Sequence, residues 1–419
     1  MFKAIAHLNV TLESLKDFQK ATVDSVMRSF NDSKHSNRIL VADEVGLGKT
    51  IVAKGIIAEL LKNKLLSENT KFLKVTYICS NLTLAEENKK KLAVFQGDSH
   101  KKYVAEPTFG RLVELAVIDK RVKRKNTTLL EVNSLTPATS FNLTSGHGNK
   151  WERFIIYRML IQYKVFVPHS KKLSELFRDG VMEWDWYENT FDNYYEINKT
   201  ILSDYKAMLD MPLSPEQLEK IGVERGSLRT ILEEYCLGLV ELSKPIRLRT
   251  LTRSTLARCC AKNLQADLFI LDEFQRFQSL LNTDQDNEES LIAREVFKKS
   301  GETKILLLSA TPFKALSRLD EDEQNEAHLD ELRKLLQFLS DNNIVFIESY
   351  EKEREKLLRQ ILSLRDKSIN LSDFSSEHKE MVEQLLHSYI CRTERSQVSA
   401  GFDAVFASSM FECNNTFSH

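Results

Sequence analysis

No apolar run in the 419-residue chain approaches the ~18 residues that suggest a membrane span, and residues 1–15 lack a basic segment followed by an apolar signal core. The expected compartment is the cytoplasm. Neither sign of charge dominates: 59 basic residues stand against 60 acidic ones, so a nucleic-acid surface has to come from local clustering. Cysteine is sparse. The six present, two of them adjacent at Cys259 and Cys260, form no CxxC or Cys/His ligand spacing. They read as reduced, mostly buried thiols, and no zinc site is expected. What remains is ample core material, 42% hydrophobic with 28% charged residues, in a length that suggests two or three domains.

Residues 39–50, ILVADEVGLGKT, read as a short buried strand running through a glycine-bearing loop into a helix. Gly46 and Gly48 allow the backbone to turn with positive φ and present its N–H groups to an anion at the positive end of the following helix. Glu44, Leu47 and the two glycines form the cradle, Lys49 reaches the β- and γ-phosphates of a nucleotide, and the Thr50 hydroxyl is placed to ligate Mg²⁺. The strict phosphate-loop pattern has glycine where this chain has Asp43, so the match is a variant. Packing alone could also ask for two glycines at such a turn, but not for the lysine and threonine after them.

Upstream, apolar residues at helical spacing between Leu12 and Phe30 predict one amphipathic helix. It carries Gln19, whose amide can donate and accept at once and so fits the N6/N7 edge of adenine; position alone favours a solvated helix residue. Downstream, a helix from the loop and the strand KVTYICS at 74–80 complete a parallel βαβ unit. Ser80 and Asn81 lie at the carboxyl end of that strand, where open α/β sheets bind ligands and where a helix cap would also sit.

Between residues 92 and 243 the alternation is hard to follow. The run KRVKRK at 120–125 is a solvated face or a phosphate contact. LTPATSF at 135–141 looks like a strand end, with Thr136 and Thr139 as hydroxyl donors for nucleic-acid phosphates or as part of a plain connection. The aromatic stretch 184–195 suits the core of a helical insertion. At 244–258, KPIRLRTLTRSTLAR carries Lys244, Arg247, Arg249, Arg253 and Arg258 without an acid, and this is the best basic patch for nucleic acid, unless acids elsewhere claim the arginines.

LFILDEF at 268–274 is a buried strand from whose carboxyl end Asp272 and Glu273 emerge. In a nucleotide site Asp272 would hold the metal and Glu273 would orient or deprotonate the attacking water. A last strand at 304–308 ends in Ser309-Ala310-Thr311-Pro312, whose hydroxyls can reach Gln275 or the acids and link nucleotide state to strand-end movement. Residues 320–326 read as an acidic exposed loop, followed by charged amphipathic helices to about Tyr389.

In order, LKDFQ, DEVGLGKT, ICSNLTL, LFILDEFQ and LLLSATPF resemble the first RecA-like lobe of superfamily-two helicases, nearest the Swi/Snf-type translocases. In that family DEVGLGKT is a usual form, which accounts for Asp43. The resemblance implies an α/β fold, a RecA-like parallel sheet flanked by helices as in phosphate-loop NTPases. It implies ATP and Mg²⁺ as ligands, with Gln19 on adenine, Lys49 and Thr50 on phosphate and Mg²⁺, and Asp272 and Glu273 on metal and water. It further implies that Gln275, Ser309 and Thr311 couple hydrolysis to movement along DNA, duplex DNA more readily than RNA. YICRTERSQV at 389–398 resembles the element that closes the first lobe, with Arg392 and Arg395 among its basic positions.

The expected organisation is an N-terminal part of the lobe at 1–95, a mostly helical insertion at 96–243, a C-terminal part at 244–345, and a helical end at 346–419 leading toward a second RecA-like lobe supplied in cis or in trans. That second lobe normally carries arginines worth about 10³–10⁵ in rate, so the chain alone is expected to hydrolyse ATP poorly. The other reading is a non-hydrolytic nucleotide-binding scaffold or sensor in a larger complex, of an anti-phage kind for instance. A GTPase or small-molecule kinase would leave Gln19 and the DEFQ and SATP elements as coincidences.

Overall fold

The apolar strands assemble into one seven-stranded sheet. The computed structural model describes residues 2–32, 37–44, 46–67, 72–105, 111–120, 127–136, 148–274, 288–297, 303–309, 322–365 and 375–393. Its strands are β1 (Arg38–Val41), β2 (Leu73–Ile78), β3 (Val104–Ala105), β5 (Leu130–Leu135), β7 (Leu268–Asp272), β8 (Lys304–Leu308) and β9 (Ile390–Cys391), in the order β3-β5-β2-β7-β8-β1-β9. Every neighbouring pair is parallel. A parallel sheet is covered on both faces, which is why β1, β7 and β8 are near-continuous apolar runs. Because side chains alternate across a strand, each run feeds two cores: Leu40, Phe269 and Leu271 point into one, Ile39, Val41, Leu268 and Ile270 into the other. The architecture is the α/β, RecA-like sheet flanked by helices.

Helices α1 (Phe2–Glu13) and α2 (Asp17–Asn31) replace the single helix expected across 12–30. The chain breaks between Glu13 and Asp17, where the Ser14 hydroxyl turns back to the Thr11 carbonyl and Leu15 drops into the core. Leu15 and Val23 press onto α3 (Lys49–Leu66) at Gly55, where a Cβ would lie 2.8 Å from each of them. This close seating holds α2 against the phosphate-loop helix.

The sheet also extends further along the sequence than expected. β3 and β5, which fall within the expected insertion, belong to it, and a run of helices follows from Lys150. β5 ends at Leu135, where LTPATSF reads as a strand end, and Glu131, Asn133 and Ser134 interrupt its apolar pattern although its positions are all buried. Beyond it, helices from Lys150 to Leu237 gather around the long helix Pro245–Asn263, while the short strands β4 (Ile118–Lys120) and β6 (Tyr195–Ile197) form a separate antiparallel pair. In the aromatic stretch, Trp184 and Phe191 are buried and pack against Phe154, but Trp186 and Tyr194 face solvent.

Two other expectations change. Residues 322–326 are the first turns of a helix, Asp322–Leu339, rather than a loop. The end of the lobe is not purely helical, since β9 returns to the sheet edge beside β1. Among the described residues no helix is long and apolar enough to cross a membrane.

Candidate functional site

The loop between β1 and α3 lies at the carboxyl edge of the sheet, where Gln19 contacts it and Asp43, Asp272 and Glu273 act on its lysine. Gly46 and Gly48 have φ of 89° and 83°, the left-handed region that glycine enters without steric cost. Gly48 is doubly constrained, because a Cβ there would lie 2.9 Å from Gln19 Nε2. The Gly48 carbonyl takes the N–H groups of Ile51 and Val52 and starts α3, so the helix's positive end opens onto the loop.

Lys49 leans back over this loop, donating to the Asp43 carbonyl at 2.9 Å and the Glu44 carbonyl at 3.3 Å. Burial is the main influence on its ammonium and lowers its pKa; Asp43, Asp272 and Glu273 oppose that, in this order. The ammonium is therefore held by two backbone carbonyls of the loop, in the field of carboxylates from two strand ends. Thr50 follows, half-buried in the first turn of α3.

Gln19 touches the site through its backbone partners. Its Nε2 donates to the Leu47 carbonyl at 3.1 Å, and its Oε1 accepts the Lys16 N–H at 3.1 Å. The amide thus braces the loop from α2.

Asp43 is fully buried. Its Oδ1 accepts the Thr393 N–H at 2.8 Å, while Oδ2 has no hydrogen-bond partner among the described residues. Burial pushes this carboxyl up to about 6, against the downward pull of the Thr393 N–H and of Lys49. A pKa raised in the folded state means that the fold holds the proton more tightly than the unfolded chain does. The associated stability is complete below the ordinary Asp value and is lost as pH rises through about 6. A shift of this size corresponds to about 3 kcal/mol between about pH 4 and about pH 7.5. Urea unfolding should therefore show Asp43→Asn gaining on the wild-type chain by that order as pH rises across this window. Parallel stability curves would exclude a perturbed Asp43.

The second acidic element sits one strand past β8. Asp272 ends β7 with its carboxylate mostly enclosed; Oδ2 accepts from the Tyr77 hydroxyl of β2 and from Asn88 Nδ2 of α4 (Leu82–Lys91) at 3.3 Å. Asn88 Nδ2 also reaches the Tyr77 oxygen at 2.8 Å. Burial and then Asp272 push the Tyr77 phenol far up, so it stays a donor. Sequence reasoning did not find Tyr77 or Asn88; the period-2 position of Tyr77 on an apolar strand reads as core. Glu273 follows at φ 54°, an uncommon conformation for a non-glycine residue that turns the chain sharply out of the strand.

Ser309 is buried at the end of β8 and donates its N–H to the Val41 carbonyl, which ties it to the strand feeding the loop. Ser80 is half-buried and Asn81 is exposed, its side chain capping α4 by accepting the Thr83 N–H at 2.7 Å. Thr136 is buried at the end of β5. Thr139, Gln275, Thr311 and Arg395 lie outside the described residues, as do residues 121–125 of the basic run.

The basic patch requires correction. Arg249 and Arg253 are 2% and 3% exposed, inside the insertion rather than on a surface. Arg249 pairs with Asp179 at 2.8 Å and donates to the Leu176 carbonyl at 3.0 Å; Arg253 pairs with Glu152 at 3.2 Å. The acids that claim them are some 70 and 100 residues away in sequence. Lys244, Arg247 and Arg258 of the same stretch are exposed, and Arg247 donates to the Lys220 carbonyl.

Residues 12–156 match the family model described as "Type III restriction enzyme, res subunit", a span that includes α2, the loop, α3, β2 and β5. Over this span the chain is similar to a superfamily-two helicase-like ATPase lobe. No curated protein matches it. The acids at 272–273 lie beyond the matched span, and it is the sheet that brings them to the lobe's loop.

The donor set suits Mg²⁺. The Thr50 hydroxyl and the Asp272 carboxylate would offer hard oxygen donors, and Mg²⁺ is usually held by one or two such groups together with substrate phosphates and water. Among the described residues no cluster of three or more His, Cys, Asp or Glu forms an all-protein cage.

Proposed function

We propose that the chain is the ATP-binding lobe of an ATP-dependent DNA helicase or translocase, coupling hydrolysis to nucleic-acid movement when a second RecA-like lobe completes it. The observation that carries this reading is Lys49 held over a left-handed glycine loop within electrostatic reach of Asp43, Asp272 and Glu273. Bound Mg²⁺ supplies charge neutralisation between the phosphates and the acids.

The protein does the rest. The backbone of Glu44, Gly46, Leu47 and Gly48 cradles phosphate, and Lys49 exchanges its two carbonyl partners for phosphate oxygens. Thr50 and Asp272 hold the metal, Gln19 faces the base, and Glu273 orients the nucleophilic water and takes its proton. Ser309, Thr311 and Gln275 pass the state of the site to strand ends. Ser80, Asn81 and Thr136, at the carboxyl edge of the sheet, are the nucleic-acid side, and Thr139 joins them by its place in the sequence. Arg249 and Arg253 are not, since buried arginines paired with carboxylates cannot meet a phosphate backbone.

The similarity to a restriction-enzyme subunit supports a nucleic-acid partner, and the Swi/Snf-like form of the motifs favours DNA. Phosphate release by the full chain, with and without duplex DNA and with a second lobe supplied, tests the reading. DNA is expected to raise turnover, and Lys49→Ala to lower it by at least about 10²-fold. Turnover indifferent both to DNA and to Lys49→Ala would exclude it.

A further inference from the structure

Asp272 has two oxygens, and the fold has already committed one of them. Oδ2 receives the Tyr77 hydroxyl and the Asn88 amide, and Asn88 in turn holds the Tyr77 oxygen, so three side chains from β2, α4 and β7 close a small ring of hydrogen bonds. Tyr77 is completely buried and cannot swing away without opening the core, while Asn88 is half-buried on the helix face above it. A carboxylate fixed in this way presents its remaining oxygen in one direction.

We infer that Tyr77 and Asn88 are positioning residues that fix the Asp272 carboxylate so that Oδ1 alone is offered to the Mg²⁺ of a bound nucleotide. The inference rests on the reading of Asp272 as the metal-side acid. The partners that orient a metal ligand matter for affinity nearly as much as the ligand itself, and their loss typically costs about 10–100-fold in metal binding. No electrons or covalent bonds change hands: the two residues act only on the direction and the entropy of one carboxylate. They also place the metal side of the site in contact with the element that begins at Ser80 and Asn81, because Asn88 sits on the helix that Asn81 caps.

The test uses the full chain and a fluorescent, non-hydrolysable ATP analogue titrated with and without Mg²⁺, so that the readout is binding rather than turnover. The wild-type chain is expected to bind more tightly with Mg²⁺. Tyr77→Phe, which keeps the ring and removes only the hydroxyl, should reduce this Mg²⁺ gain by about 10–100-fold or to its floor. That loss should exceed any change in Mg²⁺-free affinity. Asn88→Ala, at a half-exposed helix position that tolerates truncation, should move the same quantity in the same direction, and it carries the test should Tyr77→Phe fail to fold.

A full Mg²⁺ gain in both variants overturns the inference. So does an equal loss with and without the metal, which marks a purely structural role. Asp272→Asn separates the two layers: when it abolishes the gain and the positioning variants do not, only the inference falls. When Asp272→Asn keeps the gain, the reading of Asp272 falls and the inference with it.

Discussion

Replacing Glu273 by Gln is expected to stop hydrolysis while leaving the nucleotide bound. The amide keeps the length of the side chain and the outward turn at φ 54°, but it cannot accept a proton and orients water poorly. Removal of a positioned general base typically costs about 10²–10⁴-fold, so single-turnover phosphate release should fall by that order. Binding should change little, because Glu273 is the weakest of the three carboxylates acting on Lys49 and the cradle is made by backbone groups on another strand. Equal losses of binding and turnover would instead make Glu273 a structural residue of the strand end.

The second large effect lies on the helix Pro245–Asn263. Arg253→Met should destabilise the protein by about 3–5 kcal/mol, because it leaves Glu152, whose side chain is 6% exposed, as an uncompensated buried charge. Pairing it with Glu152→Leu should recover much of that loss, since replacing both buried ions by apolar groups is often neutral or stabilising. Urea unfolding of the two single variants and the double variant forms the cycle. The prediction also separates two roles for this helix: a nucleic-acid contact would cost DNA binding with little change in stability, whereas an internal tie costs stability first. Arg247, exposed on the same helix, serves as the control position.

The parts of the fold visible in the sequence are those in which one residue type repeats with the period of its element. Strands β1, β2, β7 and β8 are apolar runs bounded by polar residues, and the loop after β1 combines glycine, lysine and threonine at fixed offsets. What stays hidden depends on partners distant in the chain. Arg249 and Arg253 look like a surface patch until Asp179 and Glu152 are folded against them. Tyr77 reads as core until β7 places Asp272 at its hydroxyl, and only the end of β5 shows, because Glu131, Asn133 and Ser134 interrupt its apolar pattern. The two-residue β9 is too short to carry a period; only its backbone pairing with β1 and the Thr393 contact to Asp43 reveal it.

The link between Asp43 and Thr393 adds a physical reason for the variant loop. Where the strict pattern has glycine, this chain places a buried carboxylate whose Oδ1 receives the N–H of the residue just beyond β9. The start of the phosphate loop and the last described strand of the lobe are thereby joined, and the Thr22 hydroxyl of α2 lies 3.3 Å from that of Thr393. Glycine could not make this connection.

The most direct measurement is the affinity of Mg²⁺-ATP for the Glu273→Gln chain, in which turnover does not obscure binding, compared with the same chain also carrying Lys49→Ala. Saturable binding that weakens by at least about 10²-fold when Lys49 is removed is the predicted result. No saturable binding, or an affinity unchanged by the loss of Lys49, would contradict the assignment of this loop as a nucleotide site.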